Sequence, residues 1–96
     1  LRAIHFGDLG DFSVPTSLKD VVIVLFHIDE NHPFKGTSVN KASSRLKGSM
    51  PIIFRKEDQE SRPLFPDGEL EIKEGDTVVM VLKQEYLSLA DELNGG

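Results

Sequence analysis

The run "DVVIVLFHID", residues 20–29, constrains the fold more than any other stretch of this chain. It places β-branched and aromatic side chains on both faces of an extended backbone, so neither face is left for water. That pattern predicts a central strand of a sheet. "TVVMVLK", from Thr77 to Lys83, has the same β-rich character and predicts another strand.

The stretches between and around these two runs supply the other elements. Leu1 to Phe6 predicts a short strand, Gly7 to Asp11 is turn chemistry, and Phe12 to Lys19 reads as a connector containing Pro15. "ENHPFKG" combines Asn31, Pro33 and Gly36 and predicts a loop. Thr37 or Ser38 then caps a helix whose Val39, Ala42 and Leu46 share one apolar side, and Gly48 is expected to end it. "SMPIIFRK" predicts a strand with Pro51 near its start, which places that start close to a sheet edge. "EDQES" turns the chain into a short strand "RPLF", and Pro66-Asp67-Gly68 and Glu74-Gly75-Asp76 predict two more turns. "QEYLSLADEL" predicts a closing helix with an apolar stripe of Tyr86, Leu89, Ala90 and Leu93.

After the N-terminal strand the order is therefore strand, helix, strand, strand, strand, helix. Hairpin-length turns between the last three strands predict a mainly antiparallel sheet. The fold class is α+β, with a short helix after the first core strand and a C-terminal helix. Residues 1–19 are read as a strand and connector from a preceding region, and residues 20–96 as the domain proper. A start at Leu1 rather than methionine suggests a piece of something longer.

Ninety-six residues bury a modest core, so a partner subunit would add needed stability. The longest apolar run, Val21 to Phe26, is far too short to span a bilayer, and no secretion signal opens the chain. Absence of cysteine excludes disulfides, thiolate-bound zinc and thiol chemistry. A reducing cytoplasm is the expected setting.

Charge is unevenly spread. The chain carries a net −5, yet residues 35–56 hold six basic side chains and no acidic one. Residues 57–96 carry eleven acids against three bases, which predicts a dipolar surface. Lys41, Arg45 and Lys47 fall on or after the short helix, and Arg55-Lys56 close the following strand. Two readings compete: a solvated helix face with a basic pair ending an apolar strand, or an anion site built from cationic side chains. A third use is self-association between complementary halves. Val39, Met50, Pro51 and Ile52 are expected to be exposed beside this cluster and to take part in dimerisation.

Other candidates carry less. "HIDENH" gathers His27, Asp29, Glu30 and His32, but strand alternation pairs only His27 with Asp29; polar surface is expected rather than a metal site. Asp67, Glu69 and Glu71 alternate as on a strand and could bind a cation, but exposed edge decoration is the expectation. No serine sits in a nucleophile-elbow pattern and no histidine–acid pair is placed near one, so no catalysis is expected. A pI near 5.1 with one tyrosine and no tryptophan argues against nucleic-acid binding.

Three segments, "HPFKGTSVNKASSRL", "GSMPIIFRK" and "PDGELEIKEGDTVVMVLKQEYLSLADEL", together resemble the TrkA-C or RCK-C family, the C-terminal ligand-binding subdomain of potassium-transport regulators. The resemblance spans roughly residues 20–93 and rests on the order and spacing of all three parts. It departs from the family's pattern at Ala42, where a leucine is usual, and at Met50-Pro51. It implies a cytoplasmic, non-enzymatic, dimerising domain that senses a small ligand for a cation channel, antiporter or transport regulator. Some members bind cyclic di-AMP between two subunits. The expected ligand set is Arg45, Lys47, Ser49, Met50, Pro51 and Ile52: Arg45, at the position where an arginine often follows the family's helix, and Lys47 are expected to meet phosphate, and Met50, Pro51 and Ile52 to form an apolar wall. A structural dimerisation module without ligand is one alternative. The final "NGG" raises another, a ubiquitin-like carrier with a diglycine tail, although the predicted closing helix stands between the last strand and that tail.

Overall fold

The computed structural model describes residues 2–5 and 20–95. Among these residues five strands form one antiparallel sheet in the order β1-β2-β5-β3-β4. They are β1 (Arg2–His5), β2 (Val21–His27), β3 (Ser49–Glu57), β4 (Glu60–Leu64) and β5 (Thr77–Lys83). Among the described residues two α-helices complete the α+β fold, α1 (Val39–Leu46) and α2 (Leu87–Leu93), the latter entered through a 3-10 turn at Gln84–Tyr86. The turn and connector expected between residues 7 and 19 lie outside the described residues.

β2 and β5 are the central pair, in register from Val21 opposite Lys83 to His27 opposite Thr77. Their alternate residues Val22, Val24, Phe26, Val78, Met80 and Leu82 are buried, together with Val39, Ala42 and Leu46 of α1 and Ala90 of α2. Each buried Val, Leu, Phe or Met side chain of this set contributes about 1.5–3 kcal/mol of transfer free energy, and the alanines less. Val21, Ile23, Leu25, Val79 and Val81 on the opposite face are only half-buried, because both helices pack on one side.

One expectation about connectivity is corrected. β3 and β4 do form a hairpin, with Glu57 opposite Glu60. β4 and β5 do not: β5 inserts between β2 and β3, and residues 65–76 cross over to carry the chain there. Asp67, Glu69 and Glu71 sit in this crossover, where only Glu71 bridges to Ser38, so they do not form the alternating edge strand that their spacing suggests.

Asp58 and Gln59 form the two-residue hairpin loop with φ of 49° and 74°. Positive φ at both positions favours glycine at the second, so Gln59→Gly is expected to stabilise the fold by about 0.5–1 kcal/mol in urea denaturation. An unchanged or lower midpoint would contradict this turn geometry.

Candidate functional site

The basic segment is built around α1. Ser38 caps the helix, its Oγ accepting from the Lys41 N–H at 3.2 Å. Val39 N–H donates to the Leu70 carbonyl at 3.0 Å and Asn40 N–H to the Gly68 carbonyl at 2.8 Å, while Ala42 N–H donates to Ser38 O at 3.0 Å. The Val39, Asn40 and Lys41 donors are therefore engaged by the crossover and the cap, and the Ala42 N–H makes the first intrahelical bond. An anion near α1 must be held by side chains instead.

The cationic side chains are placed for that. Lys41 and Arg45 are one turn apart on the exposed face of α1, and Lys47 is exposed just beyond it. Among the described residues, none of the three lies in an ion pair. Arg45 does gain from the negative end of α1, a purely structural benefit of a few tenths of a kcal/mol. Lys47 holds a left-handed backbone, φ 49° and ψ 37°, and its Nζ stands 5.9 Å from the Tyr86 ring centroid. The helix thus ends through lysine in the position where Gly48 was expected. Gly48 serves close approach instead: a Cβ there would meet the Val81 carbonyl oxygen at 2.7 Å and Met80 Cε at 2.9 Å.

β3 is irregular at the predicted site. Ser49 pairs with Val81 and Ile52 with Val79, so β3 spends one residue more than β5 over this interval. This bulge turns Met50 into the core, at 5% exposure, and leaves Pro51 exposed. The pairing with β4 begins only at Ile53, so Ser49–Ile52 borders an open edge, as Pro51 suggested. Two expected exposures are corrected here: Met50 and Val39 are core residues, and neither offers a surface for a ligand or a second subunit. Arg45, Lys47, Ser49, Pro51 and Ile52 remain at the surface, Ile52 half-buried.

Arg55 belongs to a different structure from its neighbour Lys56. Its Nε and Nη2 donate to the two carboxylate oxygens of Asp76, each at 2.9 Å, and Nη2 also reaches the Glu71 carbonyl at 2.9 Å. Asp76 is buried and additionally accepts from the Lys73 N–H at 2.9 Å. The Asp76 hydrogen bonds hold Arg55 in its charged form beyond the ordinary range. Arg55 is a clasp for the crossover, not a strand-ending charge. Two signals existed in the sequence, an arginine inside an apolar strand and an aspartate directly before another, but nothing there pairs them.

His32, expected among surface polar groups, is buried against Phe26 and Phe34, with ring centroids 5.7 and 5.3 Å away. Its Nδ1 accepts from the Phe34 N–H at 3.1 Å. Burial lowers its pKa from 6.5, against the opposing pull of Asn94 and Asp29. Below pH 6.5 the unfolded chain takes up a proton that the folded ring refuses, so stability falls there and levels off once the folded ring is also protonated. The slope from this one group is at most about 1.4 kcal/mol per pH unit. Urea midpoints from pH 7.5 downward should fall more steeply for the native chain than for His32→Gln; parallel profiles would refute this.

No family model matches the chain, and no curated protein matches it. Among solved structures it is similar to the crystal structure of the GsuK RCK domain, with a TM-score of 0.57 at 15% sequence identity. The match covers 80% of this chain and 17% of that one, so this chain spans about a sixth of the GsuK chain. The arrangement of strands and helices is an RCK-like fold.

Proposed function

We propose that this chain is a regulatory, ligand-sensing dimerisation domain of a potassium transporter, channel or antiporter, without enzymatic activity of its own. The carrying observation is the cluster of Lys41, Arg45 and Lys47, which have no acidic partners among the described residues. It lies beside a bulged strand edge at Ser49–Ile52, within an RCK-like fold. A left-handed lysine and a strand bulge on either side of Gly48 are local costs of about 1–3 kcal/mol for the former alone, and such irregularities concentrate at binding sites.

In this reading Arg45 and Lys47 meet the phosphates of an anionic ligand such as cyclic di-AMP, with Ser49 as a polar contact. Pro51 and Ile52 supply the apolar wall without Met50. Arg45, Lys47, Ser49 and Pro51 are all exposed, so a second subunit is the natural opposite wall. Symmetric copies of Arg45 would then neutralise a dianion from both sides. The domain acts on its transporter by binding ligand better in one of two states and shifting their populations.

Calorimetric titration with cyclic di-AMP and with AMP tests the reading. A charge-assisted contact contributes about 1.5–3 kcal/mol, so Arg45→Ala should weaken binding by at least about tenfold. Undiminished binding by Arg45→Ala would place the site elsewhere. A monodisperse monomer in concentrated sedimentation runs would remove the subunit cleft. The diglycine carrier reading fits less well, because the 3-10 turn and α2 separate β5 from the terminal glycines.

A further inference from the structure

Apart from the basic face, His32 presents a second chemistry. Its Nε2 is buried without a hydrogen-bond partner among the described residues. Because Nδ1 accepts from the Phe34 N–H, the neutral ring carries its proton on Nε2. Among the described residues this donor is buried with no acceptor. Such a group is costly unless something completes it.

The ring lines a cleft of about 320 Å³ between the β2–α1 loop and the end of α2. Asp29 and Glu92 contribute carboxylates, Asn31 and Asn94 carboxamides, and Pro33 and Leu93 apolar surface; among the described residues no lysine or arginine lines it. Asp29 Oδ1 accepts from the Asn31 N–H at 2.9 Å, which leaves Oδ2 for a ligand. The Asn94 side chain is near enough to pull the imidazole pKa upward, yet it completes no hydrogen bond to Nε2, so it is the group a ligand would displace.

This chemistry discriminates among ligand classes. A metal ion on Nε2 needs the proton moved to Nδ1, where the Phe34 N–H already points, and no cluster of three metal-ligating side chains occurs among the described residues. A simple anion would satisfy Nε2–H but would face two carboxylates. We propose that the cleft binds a small molecule joining a neutral carbonyl or hydroxyl acceptor to a nearby ammonium group. The acceptor takes the His32 Nε2–H, and the ammonium sits between Asp29 and Glu92. This site is separate from the basic surface and does not depend on it.

Glycinamide, titrated into the nitrogen-15-labelled chain and followed by NMR, is the test. It should saturably shift the His32 Nε2 and Asn94 side-chain signals, with a dissociation constant of a few millimolar for so few heavy atoms. Acetate, which lacks the cation, should leave them in place. The double variant Asp29→Asn, Glu92→Gln should weaken glycinamide binding at least about tenfold. Asparagine at 29 keeps an acceptor for the Asn31 N–H, so the loop should retain its spectrum. Absence of shifts up to ~50 mM glycinamide, equal shifts with acetate, or undiminished binding by the double variant would each overturn the proposal.

Discussion

Asp76→Ala is expected to destabilise the domain by about 3–5 kcal/mol, a large share of what a chain of this size possesses. The carboxylate is buried at 1% exposure and accepts three hydrogen bonds, two from Arg55 and one from the Lys73 N–H. Its removal leaves a part-buried guanidinium without its counter-charge and a backbone donor without an acceptor. The consequence extends to α1, because the same crossover supplies the Leu70 and Gly68 carbonyls that hold the first turn of that helix. Arg55→Ala should cost a comparable amount by stranding the carboxylate. Replacing both residues with apolar ones, Arg55→Met with Asp76→Leu, should recover part of the loss, since a buried pair returns little beyond its own desolvation. Urea midpoints for the two single variants and the pair decide the matter. A single-variant loss below about 1 kcal/mol would mean that the pair behaves like an exposed salt bridge and clasps nothing.

The elements themselves were readable because each carries its own local signal. β2 and β5 announce themselves by β-branched runs, and α1 by Ser38 and the spacing of Val39, Ala42 and Leu46, all buried as the spacing requires. What escaped was anything decided by non-local pairing. The turn at Glu74-Gly75-Asp76 resembles any hairpin turn, and nothing within it says that β5 will pass β4 and pair with β3. The Arg55–Asp76 clasp is a consequence of that insertion, so it was hidden for the same reason. Met50 was misplaced by a single-residue bulge, which inverts the face of every residue before it relative to simple alternation. Lys47 took the left-handed position because Gly48 is committed to close approach against β5. His32 followed a loop whose path alternation does not define. The basic face was legible in composition, but its apolar neighbour shrank from three residues to Pro51 and Ile52.

Phe26→Ala is expected to cost about 3–5 kcal/mol, the range for deleting a large aromatic from a closed core. Phe26 is fully buried and packs edge-on against Phe34 at 5.8 Å and 71°, and against His32 at 5.7 Å and 75°. Edge-to-face pairs of this kind add about 0.5–1.5 kcal/mol beyond area burial, so the loss should fall in the upper part of the range. The same ring helps keep water from His32. With Phe26 gone, water can enter the vacated volume, and the desolvation that depresses the imidazole pKa weakens. The His32 titration should therefore move back toward 6.5, while the Phe34 N–H still opposes protonation at Nδ1. Two readouts follow from one cause: a lowered urea midpoint and an upward-shifted imidazole titration by NMR. Phe26→Leu fills most of the cavity and should show a smaller version of both. If Phe26→Ala lowers stability but leaves the His32 titration unmoved, Phe26 supports the sheet alone, and the imidazole is kept dry by Phe34 and the end of α2.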